Sequence, residues 1–197
     1  MSDEPPDVDP VSLFREWLTD AEQREPSHAN ACTLATADAA GRPSARIVLL
    51  RGLDDRGFSF YTNRESRKGR DLAENPRAAL TFHWKSSRRQ VRVEGTVERV
   101  ADDDSDRYFA TRPRGSQLAA WASAQSSELP SRRILDEAVA AEAVRRGPGP
   151  IPRPPFWGGY RVTPEKIEFW EEGEARLHRR WEYLRSGRGW KRRLLWP

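Results

Sequence analysis

The chain has 197 residues, of which 34 are Lys or Arg and 30 are Asp or Glu, giving a net charge of +4. That length suits one domain with a full core, and 37% hydrophobic against 32% charged residues is polar for a globular domain without being disordered in composition. The single cysteine, Cys32, excludes a disulfide framework or a thiolate metal cluster; with no apolar run near the ~20 residues that span a bilayer and an acidic, Pro-rich start unlike a signal peptide, a soluble cytoplasmic protein is expected.

Residues 1–8 read as a disordered lead and 9–197 as one domain. In "DPVSLFREWLTDAEQRE" the spacing of Val11, Phe14, Trp17 and Leu18 predicts a helix, with Asp9 as cap and Pro10 in the first turn. The next stretch, to "GFSFYTN", reads as three neighbouring antiparallel strands, joined by turns at "DAAGRP" and "LDDRG". "SRKGRDLAENP" is a short helix stopped by Pro76, and "RAALTFHW" and "QVRVEGTVERV" are two more strands, with Gly95 at a bend or bulge. Two helical segments precede the loop "GPGPIPRPPF". The remainder reads as strands with turns at "TPEK", "EGEA" and "SGRG". Six to eight strands with inserted helices predict a mainly β, α+β fold, a closed or partly closed barrel.

Three basic sets stand out. Arg67 and Lys68 begin the short helix just after Tyr61 and Thr62, where a helix N-terminus already carries partial positive charge and unpaired N–H groups. Cations placed there suit a phosphate, although two adjacent basic residues at a helix start are more often solvated. Tyr108, Arg112 and Ser116 fall on one face if a single helix runs through all three, which also describes an ordinary wet face. In "EARLHRR" a strand places Arg176, His178 and Arg180 in one row, an arrangement that is costly in a cavity without an anionic ligand. The Arg-rich tail with interleaved Trp reads as a strand pair closing the domain. Nucleic-acid binding is the alternative, and no nucleic-acid motif accompanies the charge. The three His are far apart in sequence, so no metal is expected.

Together these sets resemble the pyridoxine (pyridoxamine) 5′-phosphate oxidases, FMN enzymes with a split-barrel fold. The likeness runs from about Asp9 to Pro197 through "RIVLLRG", "GFSFYTNRESRKG", "RQVRVEG", "YFATRPRGSQLAAWAS", "PPFWGGYRV", "IEFW" and "RLHRR". The resemblance implies that Arg46, Arg67 and Lys68 hold the FMN phosphate, that Tyr61, Thr62 and Gln90 line the flavin, and that Gln125, Ser126, Trp170 and Arg180 reach it from the second subunit of a homodimer. It further implies that Tyr108, Arg112 and Ser116 grip the substrate 5′-phosphate, assisted by Arg51 at the edge of the FMN site. Arg176 and His178 would be the catalytic pair over the pyridine ring. The implied reaction oxidises pyridoxamine or pyridoxine 5′-phosphate to pyridoxal 5′-phosphate and reduces O₂ to H₂O₂.

Three features depart from the family pattern: Arg51 stands where Lys is usual, Arg179 where Asp is usual, and the start of the chain lacks the Arg-x-x-Tyr segment that closes over substrate in typical members. They keep two alternatives open. One is a same-family FMN oxidase turned to another substrate, such as a phenazine-type intermediate; the other is a non-catalytic flavin or pyridoxal-phosphate binding protein.

Overall fold

A computed structural model describes residues 4–197. Of the predicted lead, residues 1–3 lie outside the described residues; within the rest, the Pro6 carbonyl accepts a hydrogen bond from the Tyr183 hydroxyl at 2.9 Å and Asp7 pairs with Arg192 at 2.8 Å.

Helix α1 (Pro10–Arg24) starts as its sequence dictates: the Asp9 carboxylate accepts from the Ser12 N–H at 2.9 Å, and Pro10 takes the first position, where no N–H is needed. Its apolar stripe is buried. Phe14 meets Phe58 and Phe82 edge-on, with ring centres 4.9 and 4.8 Å apart, and Trp17 meets Phe169 at 5.0 Å. The helix thereby fills a barrel of nine antiparallel strands: β1 (Ala31–Ala37), β2 (Pro43–Leu49), β3 (Gly52–Asp54), β4 (Gly57–Asn63), β5 (Arg77–Trp84), β6 (Arg89–Arg99), β7 (Trp157–Glu171), β8 (Arg179–Ser186) and β9 (Gly189–Leu194). The remaining helices are α2 (Arg67–Glu74), α3 (Asp102–Ala110), α4 (Arg114–Ala122) and α5 (Arg132–Arg146).

The sheet order is β2-β1-β5-β6-β7-β4-β3, with β8 also on β7 and β9 on β8. β7 is the hub. Its first half pairs with β4, its second half with β8, and β6 runs along its other edge. Three sequence expectations change here. The strands around "RIVLL" and "FSFYTN" are not neighbours: the chain breaks after β2, adds short β3, and crosses from one end of the strand order to the other. Among the described residues strands number nine rather than six to eight. Finally, "TPEK" is not a turn. Pro164 lies inside β7 opposite Gly95, next to Glu165, the extra residue of a bulge in β7, where its missing N–H is tolerated. Gly95 is required at that point, because a Cβ would stand 1.9 Å from the Thr163 carbonyl oxygen.

A smaller apolar cluster sits outside the barrel, made by Phe109, Leu118, Ile151 and Trp157 with Tyr61 and Tyr108 packed against it. It joins α3 and α4 to the start of β7, and the candidate site lies beside it.

Candidate active site

The first basic set is built where β4 runs into α2. Ser66 caps α2, its Oγ accepting from the Gly69 N–H at 3.4 Å, and the turn folds Lys68 inward so that it is only 9% exposed. Lys68 Nζ donates to Gln125 Oε1 at 2.9 Å and to Thr62 Oγ1 and Ser66 Oγ at 3.2 Å each. All three acceptors are neutral. Burial, with Arg46 nearby, brings its pKa down to about 8. Arg46 reaches from β2 to Thr36 Oγ1 and Ser44 Oγ at 2.7 Å each and stands 3.9 Å from Asp71; burial lowers its pKa, and Arg67 lowers it further. Arg67 itself is exposed at the first position of α2. Of these three cations Arg46 alone is paired with a carboxylate among the described residues, that of Asp71, which already accepts from Thr36 at 2.6 Å. The surplus of positive charge around a buried ammonium fits a phosphate.

The second set converges by another route than expected. No single helix carries Tyr108, Arg112 and Ser116: α3 ends at Ala110, and α4 begins after Pro113. The break nevertheless turns all three side chains into the cavity of about 630 Å³ that Arg46, Arg51 and Lys68 also line. Tyr61 and Thr62 complete its wall, with Gln125 and Trp157. Tyr61 stacks on Tyr108 with ring centres 4.1 Å apart. Arg112 Nη1 is shut off from solvent and has no hydrogen-bond partner, and burial lowers the pKa of the group.

Gln125, expected from a second subunit, binds Thr62 and Lys68 of its own chain. Ser126, with φ of +72°, is exposed and does not line the cavity. Trp157 was visible in the sequence only as part of "PPFWGGYRV", with no role attached.

The remaining predicted residues stand elsewhere. Gln90, Trp170 and Arg180 form a cross-strand row on β6, β7 and β8, so Gln90 does not accompany Tyr61 and Thr62. Arg176 and His178 do not share a strand with Arg180, because β8 begins only at Arg179. They sit in a tight loop whose 3₁₀ turn, Glu174–Arg176, holds Ala175 and Arg176 at φ of +51° and +64°. That loop is cross-bonded: His178 Nδ1 accepts from the Gly173 N–H at 3.3 Å, and the imidazole tilts against Trp170 at 4.7 Å. Arg176 and His178 line a recess of about 430 Å³ together with Arg88 and Glu172. Arg180 donates to buried Glu168 at 2.9 Å and to the Trp196 carbonyl at 2.8 Å, and Arg179 donates to Glu171 at 2.9 Å.

Trp157 opens β7 and Trp170 stands one residue before its end, so roughly 40 Å of strand separates the two groups, at about 3.3 Å per residue. One chain therefore presents two separate groups: a cationic cavity at one end of β7 and an Arg–His loop at the other. Cys32 belongs to neither. It is buried, and burial pushes its thiol up to about 12. No helix among the described residues is long and apolar enough to cross a membrane.

Comparison with known proteins finds matches over most of the chain. The model of a family described as pyridoxamine 5′-phosphate oxidase matches residues 18–145, and that of a pyridoxine 5′-phosphate oxidase C-terminal dimerisation region matches residues 157–197. The chain is 57% identical over 184 residues to a pyridoxine/pyridoxamine 5′-phosphate oxidase of Cupriavidus taiwanensis, covering 93% of this chain and 86% of the relative. It is 56% identical over 192 residues to the same-named protein of Rubrobacter xylanophilus, covering 97% and 88%. Among solved structures, PhzG from Burkholderia lata, in complex with tetrahydrophenazine-1-carboxylic acid, superposes with a TM-score of 0.91 at 35% identity, covering 99% of this chain and 95% of that one.

Proposed function

Because the chain belongs to the pyridoxamine 5′-phosphate oxidase family, we propose that it is an FMN-dependent oxidase converting pyridoxamine or pyridoxine 5′-phosphate to pyridoxal 5′-phosphate, with O₂ reduced to H₂O₂. The observation that carries this reading is the pair of incompletely neutralised cation sets lining one cavity, Arg46 with Lys68 and Arg51 with Arg112. Two sets suit two phosphates, one on the cofactor and one on the substrate.

Arg46, Arg67 and Lys68 would hold the FMN phosphate, with Tyr61, Thr62 and Gln125 around the flavin. FMN, when bound, would supply the two-electron acceptor for oxidation at C4′, with O₂ as the final oxidant. Arg112, Arg51, Tyr108 and Ser116 hold the substrate phosphate and so set the distance between C4′ and the flavin. Arg176 and His178 close over the pyridine ring. Since His178 Nδ1 accepts from Gly173, its Nε2 is the nitrogen left to meet substrate.

Those two residues lie too far along β7 to serve their own chain's cavity. The centre is therefore composite in this reading: in a homodimer, the Gln90–Trp170–Arg180 row and the Arg176–His178 loop of one protomer complete the cavity of the other. The dimer is supported by the match of residues 157–197 to a dimerisation region. A cytoplasmic setting suits a chain whose only cysteine is a buried thiol.

The test is oxygen uptake by the purified yellow protein with each of the two phosphorylated substrates. Rapid uptake with release of pyridoxal 5′-phosphate is expected. A flavin-loaded protein that consumes no oxygen with either substrate would overturn the reading and turn attention to a reduced phenazine acid, the ligand class of the Burkholderia lata structure.

A further inference from the structure

Arg112 poses a question that the proposed role leaves open. It is half-buried, its Nη1 has no hydrogen-bond partner, and no described carboxylate pairs with it. A long side chain with nothing to bond samples many rotamers, and ordering it on binding costs affinity. What orders it here is an aromatic floor. The guanidinium carbon lies 4.7 Å from the Trp157 ring centre and 5.5 Å from that of Phe109.

Trp157 is itself firmly placed. It is 6% exposed, paired with Asn63 across β4 and β7, and its carbonyl accepts from Arg153 at 2.5 Å. Its indole lies nearly parallel to Tyr61 and Tyr108, at 14° and 11°, with centres 5.6 and 6.1 Å away. The adjoining Gly159 makes room for this stack, since a Cβ there would stand 2.7 Å from the Tyr61 ring.

We infer that Trp157 is the positioning residue of the substrate-phosphate clamp: its indole face holds the Arg112 guanidinium and the Tyr108 ring in place while leaving the arginine's charge and donors free for phosphate. The inference rests on the proposed function and deepens it. A carboxylate would also fix Arg112, but it would neutralise the cation and compete with the incoming phosphate. An aromatic face attracts a guanidinium through the ring quadrupole and occupies none of its N–H groups.

Two measurements on the flavin-loaded enzyme test this: equilibrium titration with pyridoxal 5′-phosphate, which needs no turnover, and oxygen uptake with pyridoxamine 5′-phosphate. For Trp157→Leu, Kd and KM are expected to rise roughly three- to thirtyfold, the range a desolvated cation–aromatic contact supports, with kcat and flavin content little changed. Trp157→Phe keeps a smaller ring in the cluster and gives a smaller rise in the same direction; if the Leu variant does not fold, the Phe variant carries the comparison. In an Arg112→Ala background either change adds little, because the group it positions is gone. Equal losses with and without Arg112 would overturn the inference, as would losses confined to kcat or flavin content, or a wild-type enzyme that binds no pyridoxal 5′-phosphate. A wild-type enzyme that binds pyridoxal 5′-phosphate yet oxidises nothing would refute the oxidase reading while the clamp comparison still runs through binding.

Discussion

Lys68 offers the sharpest test of the cofactor-phosphate assignment, because its burial makes two opposite pH dependences. Its side chain is 9% exposed and meets only neutral acceptors at 2.9 to 3.2 Å. Its pKa falls from the ordinary 10.5 to about 8, which corresponds to a cost of roughly 3 kcal/mol for the charged form in the protein without cofactor. Between those values the unfolded chain holds a proton that the folded chain has released, so the stability of the cofactor-free protein rises as pH climbs from about 8 towards 10.5. Phosphate affinity moves the other way. Below about 8 the ammonium is present, and above it each binding event must first take up a proton, so FMN affinity falls by up to about tenfold per pH unit. Flavin-fluorescence titrations from pH 7 to 9.5, beside thermal melts of the cofactor-free protein, read both slopes. Lys68→Met is expected to weaken FMN binding at pH 7 by roughly ten- to a hundredfold, the loss of one charge-assisted contact, and to flatten both pH profiles. A wild-type affinity that stays constant across this range, or a Met variant that keeps the wild-type slope, would refute the placement of Lys68 against the phosphate.

Arg67→Ala removes an exposed cation from the start of α2 and is expected to lower FMN affinity about tenfold, read as flavin retained through gel filtration. Arg176→Ala is expected to depress kcat while flavin stays bound, because Arg176 lies in the loop at the far end of β7 from the cationic cavity; absorbance at saturating FMN together with turnover separates the two effects. Gly95→Ala puts a Cβ 1.9 Å from the Thr163 oxygen and is expected to cost roughly 2–4 kcal/mol or to prevent folding, measured as a fall in the denaturant midpoint.

Features that depend on near neighbours in the chain were legible from residues alone. Asp9 and Pro10 begin α1, Ser66 and Pro76 bracket α2, and Gly95 marks the bulge, because a cap, a stop or a tight approach is settled within a few residues. The basic sets at Arg67–Lys68 and Tyr108–Arg112–Ser116 were legible as chemistry, and so was the family resemblance. Where those groups go was not. Periodicity read Tyr108, Arg112 and Ser116 as one helical face, whereas they converge because Pro113 breaks the helix and the break is packed against Trp157. It read Arg176, His178 and Arg180 as one strand face, whereas two left-handed residues fold the first two into a loop. "TPEK" carried a turn signal that β7 instead absorbs as a bulge, with Glu165 the extra residue opposite Glu94 and Gly95. Local chemistry belongs to the sequence, since it depends on side chains and their immediate backbone. Tertiary structure decided which cations share a cavity, because that follows from strand order, from the length of β7 and from the path of the loops between helices.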